Sequence, residues 1–223
     1  KLILLLLIQL GGLGIIACTM GAFLILKKQI TIRSRVMIQD SYDLHTMSGV
    51  VAMLRYVLHG TFFVEGIGAV LYAIAFIPEY GVGRGVWYGI FHAVSAFCNA
   101  GIDILGADSL ERYQTDPYMN LVTILLIIVS GLGFLVWRDL TLTAKRIVKR
   151  EYRIGRALQK MRLHTKLALS MTAFLLIVGT VAIFGMEYSN PRTIGSLTLG
   201  QKWLASLFQA VTTRTAGFFT IPQ

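Results

Sequence analysis

The sequence predicts an all-α membrane protein built from tandem units of helix, re-entrant loop and helix. Three observations predict it. Hydrophobic residues make up 55% of the 223 residues and charged residues 14%, a balance that leaves too little polar surface for a water-soluble globule. Apolar segments at 2–26, 55–78, 118–137 and 167–187 each reach the ~20 residues a helix needs to cross the hydrocarbon core. Two further apolar segments, 86–104 and 199–221, break off at glycine and polar residues before they can cross.

Segment 2–26 is too long for a signal-peptide core and has no small-residue cleavage site, so it is read as a true span. Helix is the assignment for all four spans, because an open strand would leave backbone groups unpaired in lipid. The formal net charge of +10 raises the question of a nucleic-acid face. The placement of the 21 Lys and Arg answers it: five lie between Lys27 and Arg55 and ten between Arg138 and Lys166. Such clustering marks cytoplasmic loops, and no nucleic-acid partner is implied. Lys27, Lys28, Arg33 and Arg35 follow the first span, and Lys145, Arg146, Lys149 and Arg150 follow the third. Both loops therefore face the cytoplasm, and the chain starts outside.

If 86–104 crossed the membrane, the basic loop at 138–166 would be forced outside. A re-entrant hairpin avoids this conflict. It places the segment's broken backbone against protein or a water-lined path, the settings in which such backbone is tolerated at membrane depth. The same holds for 199–221. Both contain an Ala-Gly pair after the helical part, Ala100-Gly101 and Ala216-Gly217.

The two hairpins are copies. Residues 91–95, Phe-His-Ala-Val-Ser, align with 208–212, Phe-Gln-Ala-Val-Thr, and the second copy is one residue shorter before its Ala-Gly. Residues 11–15, Gly-Gly-Leu-Gly-Ile, resemble 130–134, Ser-Gly-Leu-Gly-Phe, which places both in the closing helix of a unit. The expected organisation is 1–26 as the closing helix of a first repeat and 27–54 as a cytoplasmic linker. Then come 55–137 as a complete second repeat with its pore loop at 86–104, 138–166 as a basic cytoplasmic linker, and 167–223 as the start of a third repeat with its pore loop at 199–221. Two such loops cannot surround an ion, so further repeats or other chains are expected to complete the ring.

A dehydrated cation needs oxygen ligands at close range, and backbone carbonyls along a narrow loop replace its water shell at modest electrostatic cost. The candidate ion-binding carbonyls are those of Asn99, Ala100 and Gly101 in one loop and Thr215, Ala216 and Gly217 in the other, flanked by Cys98, Ile102 and Phe218. Glycine lets such a loop adopt positive φ and lets backbones approach closely. The Gly11–Gly14 and Gly131–Gly133 clusters are read as room for neighbouring pore helices. Glu65 stands mid-span, where a carboxylate is costly; it is either a hydrogen-bonded partner of a neighbouring pore helix or a group with an ion-path or proton role. His59 and His92 have no second ligand at metal-binding spacing, and no metal is expected beyond the transported cation. No nucleophile, base and partner set emerges, which points away from an enzyme.

Residues 90–101, Ile-Phe-His-Ala-Val-Ser-Ala-Phe-Cys-Asn-Ala-Gly, and 208–218, Phe-Gln-Ala-Val-Thr-Thr-Arg-Thr-Ala-Gly-Phe, resemble the second and third filter segments of the Trk/Ktr/HKT potassium transporters. Residues 8–14, 63–69 and 163–167 support the likeness, which is nearest to the Ktr membrane subunits and covers nearly the whole chain. The resemblance implies a multi-pass protein of the cell inner (plasma) membrane, with four tandem units around one potassium pathway. It also implies a homodimer in the lipid bilayer, a cytosolic nucleotide-binding regulatory ring of RCK type, no cofactor, and a sodium dependence left open. Cys98 and Phe219 stand where the family often has Asn. The alternatives are a secondary carrier of another cation or small solute that uses re-entrant hairpins, and a purely structural membrane subunit.

Overall fold

The computed structural model describes residues 1–14, 50–106, 109–151 and 154–221. Among them the chain forms eight α-helices and one turn of 3-10 helix, with no strand. Helix α1 (Leu2–Leu13) is the first half of the expected span 2–26. The rest of that span, Cys18, and the linker basic residues Lys27, Lys28, Arg33 and Arg35 lie outside the described residues. Helix α2 (Val50–Tyr80) contains the second expected span, the short α6 (Ile154–Gln159) lies in the expected linker 138–166, and α7 (Leu163–Glu187) contains the fourth span. Each of α2 and α7 is long and apolar enough to cross a membrane by itself.

The third expected span, 118–137, is not one helix. Helix α4 (Pro117–Gly131) stops and α5 (Phe134–Val148) departs from it at 100°. Gly133 causes the break: its φ is 82°, and its N–H turns to the Ser130 carbonyl at 3.2 Å instead of continuing the i−4 ladder. Trp137 belongs to α5, and its indole N–H donates to the Val129 carbonyl at 2.6 Å, closing the elbow. Apolar residues run through both arms, so hydropathy alone reads them as continuous. Helix α1 ends the same way, with Gly14 at φ 80° and its N–H on the Gly11 carbonyl at 3.1 Å. The repeat between 11–14 and 130–133 thus extends from sequence to backbone conformation. Gly14 and Gly133 terminate helices and have nothing within 4 Å of where a Cβ would lie; of the two clusters expected to make room for neighbours, only Gly12 lies tightly against one, at Cys98.

Helix α3 (Val82–Phe97) begins earlier than the expected loop start at 86. A single residue, Gly81 at φ 77°, joins it to α2 in a tight hairpin. Gly85 and Gly89 let the two backbones cross in contact: a Cβ would fall 2.7 Å from the Ile77 N and Cα in one case and 2.7 Å from the Ala69 carbonyl in the other. The last two turns of α3, residues 91–97, are buried on every side among α1, α2 and α4. A soluble helix of this composition would show a polar face; this one has none there. Helix α8 (Leu199–Thr215) packs on α7 and α4, and its Thr198–Gln201 capping box fixes its start.

The core centres on Tyr72, Phe76, Ala93, Met119, Phe208 and Phe218. Around it, α2 exposes Phe62, Phe63, Val70 and Ile74, and α7 exposes Phe174, Ile177 and Val181. Apolar faces this extensive need an apolar solvent, and the bilayer supplies one. At the start of α4, Asp116 caps the helix by accepting from the Tyr118 N–H, and the Asn120 amide donates to the carbonyls of Tyr113, Gln114 and Asp116. Tyr113 donates to Glu79. Burial, then this hydrogen bond, pushes its phenol above the usual range, so it stays a donor. The exposed Arg112–Glu79 ion pair at 3.0 Å adds no more than ~1 kcal/mol.

Candidate functional site

Helix α3 ends two residues before its Ala-Gly pair, and α8 ends directly before its own. After Phe97, the chain turns through Cys98 and Asn99 (φ 52°) to Ala100 and Gly101 (φ 63°). Asn tolerates the left-handed region better than most side chains, and Gly101 occupies it without a steric cost. After Thr215, residues 216–219 leave the helix, with Ala216 extended at φ −96°. Gly217 is not in the left-handed region. Thr215 is the last residue of α8, so its carbonyl follows the helix axis.

The two loops meet backbone to backbone. A Cβ placed on Gly101 would fall 1.9 Å from the Gly217 nitrogen and 2.2 Å from its Cα, closer than real side-chain carbons approach anything. The Thr215 hydroxyl donates to Asn99 Oδ1 at 3.0 Å, and Asn99 Nδ2 donates to Ser130 Oγ on α4 at 2.9 Å. Beyond the glycines, the Leu110 N–H donates to the Phe219 carbonyl at 3.1 Å. Asn99, Ala100, Gly101, Thr215, Ala216 and Gly217 are thereby brought into one place. The C-terminal ends of two helices converge there too, each carrying about −0.5 charge in its unpaired carbonyls. That field favours a cation.

The flanking residues go three ways. Phe218 is buried, its ring stacked on that of His92 at 6.3 Å between centroids. Ile102 is partly exposed. Cys98 lies against Glu65, to which its thiol donates at 3.8 Å. Glu65 is buried and also accepts from Gln9 Nε2 on α1 at 2.9 and 3.2 Å. Gly12, one turn along α1 from Gln9, lies directly against Cys98: a Cβ there would be 2.3 Å from Sγ. A polar knot of Gln9, Glu65 and Cys98 therefore seats α1 behind the first loop. His92 pairs its Nδ1 with the Tyr88 carbonyl at 2.7 Å.

Sequence reasoning passed over two residues of the site, Ser95 and Thr212. Ser95 Oγ donates to the Ile102 carbonyl at 2.6 Å and accepts from the Ile102 N–H at 2.9 Å. The Thr212 hydroxyl donates to the Phe218 carbonyl at 2.7 Å. A signal was present: these are the hydroxyl-bearing members of the aligned pentapeptides 91–95 and 208–212.

Over residues 1–223 the sequence matches the TrkH family, described as cation transport protein. The potassium/sodium uptake protein NtpJ of Enterococcus hirae is 41% identical over 215 residues, covering 96% of this chain and 45% of that protein. The Ktr system potassium uptake protein B of Bacillus subtilis is 38% identical over 212 residues, 95% of this chain and 45% of that protein. The protein of the same name from Vibrio alginolyticus is 33% identical over 221 residues, 99% of this chain and 46% of that protein. The chain thus spans a little under half the length of these curated relatives.

Proposed function

We propose, from the premise that this chain belongs to the TrkH family of cation transport proteins, that it supplies two of the filter loops of a potassium uptake pathway across the plasma membrane. The observation that carries the proposal is the contact of two repeat-equivalent loops, each at the end of a buried helix, at Gly101 and Gly217. The carbonyls of Asn99, Ala100 and Gly101 and of Thr215, Ala216 and Gly217 replace part of the water shell of the ion. The helix ends behind them stabilise its charge. Two loops enclose an ion on one side, and the remaining repeats of the full-length protein close the ring. Transport is not enzymatic: no bond is made or broken, and the chain contributes oxygen ligands and a dry surround.

The names of the relatives support potassium as the main ion and, for one of them, sodium as well. A homodimer and a cytosolic nucleotide-binding ring on the basic linker at 138–166 complete the proposed assembly. The test is uptake of radioactive rubidium by proteoliposomes holding the full-length protein. Potassium should compete with rubidium strongly and sodium weakly. Absence of flux, or competition by organic solutes as in a secondary carrier, overturns the proposal.

A further inference from the structure

Each filter stretch is bracketed by one residue of its own helix. In the first loop the Ser95 carbonyl accepts from the Ala100 N–H at 2.9 Å, while its hydroxyl exchanges two hydrogen bonds with Ile102. In the second the Thr212 carbonyl accepts from the Ala216 N–H at 2.9 Å, while its hydroxyl donates to the Phe218 carbonyl. The same position thus holds the residue before the filter glycine and the residue after it. This happens in both copies although they differ by one residue in spacing, with hydroxyl partners seven residues on in one and six in the other. Ser95 is 0% exposed and Thr212 2%, so water cannot substitute for either hydroxyl.

The consequence concerns the carbonyl row. The carbonyls of Ile102 and Phe218 are drawn to the hydroxyls of their own helices, which leaves those of Gly101 and Gly217 as the end of the row. The glycine carbonyls hang between two fixed points, which holds their spacing as an ion passes. We propose that Ser95 and Thr212 are positioning residues that set the cation selectivity of the filter by holding the backbone on both sides of its glycines. The proposal rests on conduction between these loops. Without the hydroxyl, the Ile102 or Phe218 carbonyl is freed from behind the loop and the glycine carbonyl loses its outer anchor. Flux persists while discrimination falls.

The experiment is competition of sodium and potassium against rubidium uptake in proteoliposomes of the full-length protein. It compares Ser95→Ala, Ser95→Thr, Thr212→Val and Thr212→Ser. Each is first shown to assemble as the wild type does by its elution in detergent. Ser95→Cys, nearly isosteric with a weak acceptor, replaces Ser95→Ala should that variant not assemble. The hydroxyl-free variants should lose potassium-over-sodium preference by about tenfold, the effect of one buried hydrogen bond, and the Ser–Thr exchanges should rescue it. Wild-type preference in both Ser95→Ala and Thr212→Val overturns the proposal. So does an equal loss in Thr212→Ser and Thr212→Val, because side-chain volume and not the hydroxyl would then be the cause. A wild-type protein that moves no cation at all defeats instead the proposed function on which this stands.

Discussion

Replacing Gly101 by alanine tests the meeting of the two loops most directly. The new Cβ would lie 1.9 Å from the Gly217 nitrogen, whereas ordinary contact begins at 3.4 Å, so the loops must part by about 1.5 Å. Holding alanine at φ 63° adds a backbone cost of about 1–2 kcal/mol. A row of carbonyls displaced this far leaves a bare ion short of ligands on one side. Each 1.4 kcal/mol lost between potassium and sodium is about a tenfold change, so the preference for potassium should fall at least that much in the rubidium competition assay. Gly217→Ala should lose less. Its Cβ would meet nothing nearer than 3.7 Å, and its φ is outside the left-handed region. Gly66→Ala, in α2 with no atom within 4 Å of its Cβ, is the control and should be neutral or stabilising by up to ~1 kcal/mol. Wild-type preference in Gly101→Ala, or an equal loss in Gly66→Ala, would refute the reasoning.

The seating of α1 should respond to Gly12→Ala, whose Cβ would sit 2.3 Å from Cys98 Sγ. Overpacking of this kind costs about 1–3 kcal/mol and should lower the thermal midpoint in detergent, whereas Gly11→Ala, with open space around it, should not. Gln9→Leu removes both amide hydrogen bonds from the buried Glu65 carboxyl. It should destabilise the protein by about 1–3 kcal/mol, and an unchanged midpoint would mean that α1 is not held at Glu65. Gly133→Ala forces a Cβ into φ 82° at the α4–α5 elbow and should cost about 1–2 kcal/mol. Gly131→Ala, whose nearest neighbour is Arg214 Nη2 at 3.9 Å, should be tolerated, and equal effects at the two positions would locate the break elsewhere.

Membrane-spanning character and the repeat were legible in the residues because both are written locally. A stretch such as 167–187 is apolar whatever it packs against, and 91–95 matches 208–212 without reference to shape. The alignment also brought out the Ala-Gly pairs and the six candidate carbonyls. The elbow at Gly133 was not legible: segment 118–137 is apolar on both sides of it, and a glycine without Cβ is equally at home in a helix and in the left-handed turn that ends one.

By itself, then, the sequence determined the apolar solvent, the all-helical class, the repeated motifs and the family, since each follows from the order of side chains along the chain. Only the tertiary structure decided which backbones touch. Gly101 meets Gly217 across 116 residues, Gln9 reaches Glu65 across 56, and Ser95 and Thr212 fold back on their own loops. Such contacts depend on how the hairpins close in space, and glycines and hydroxyls, being small and versatile in their partners, carry no mark in the chain of the one they will find.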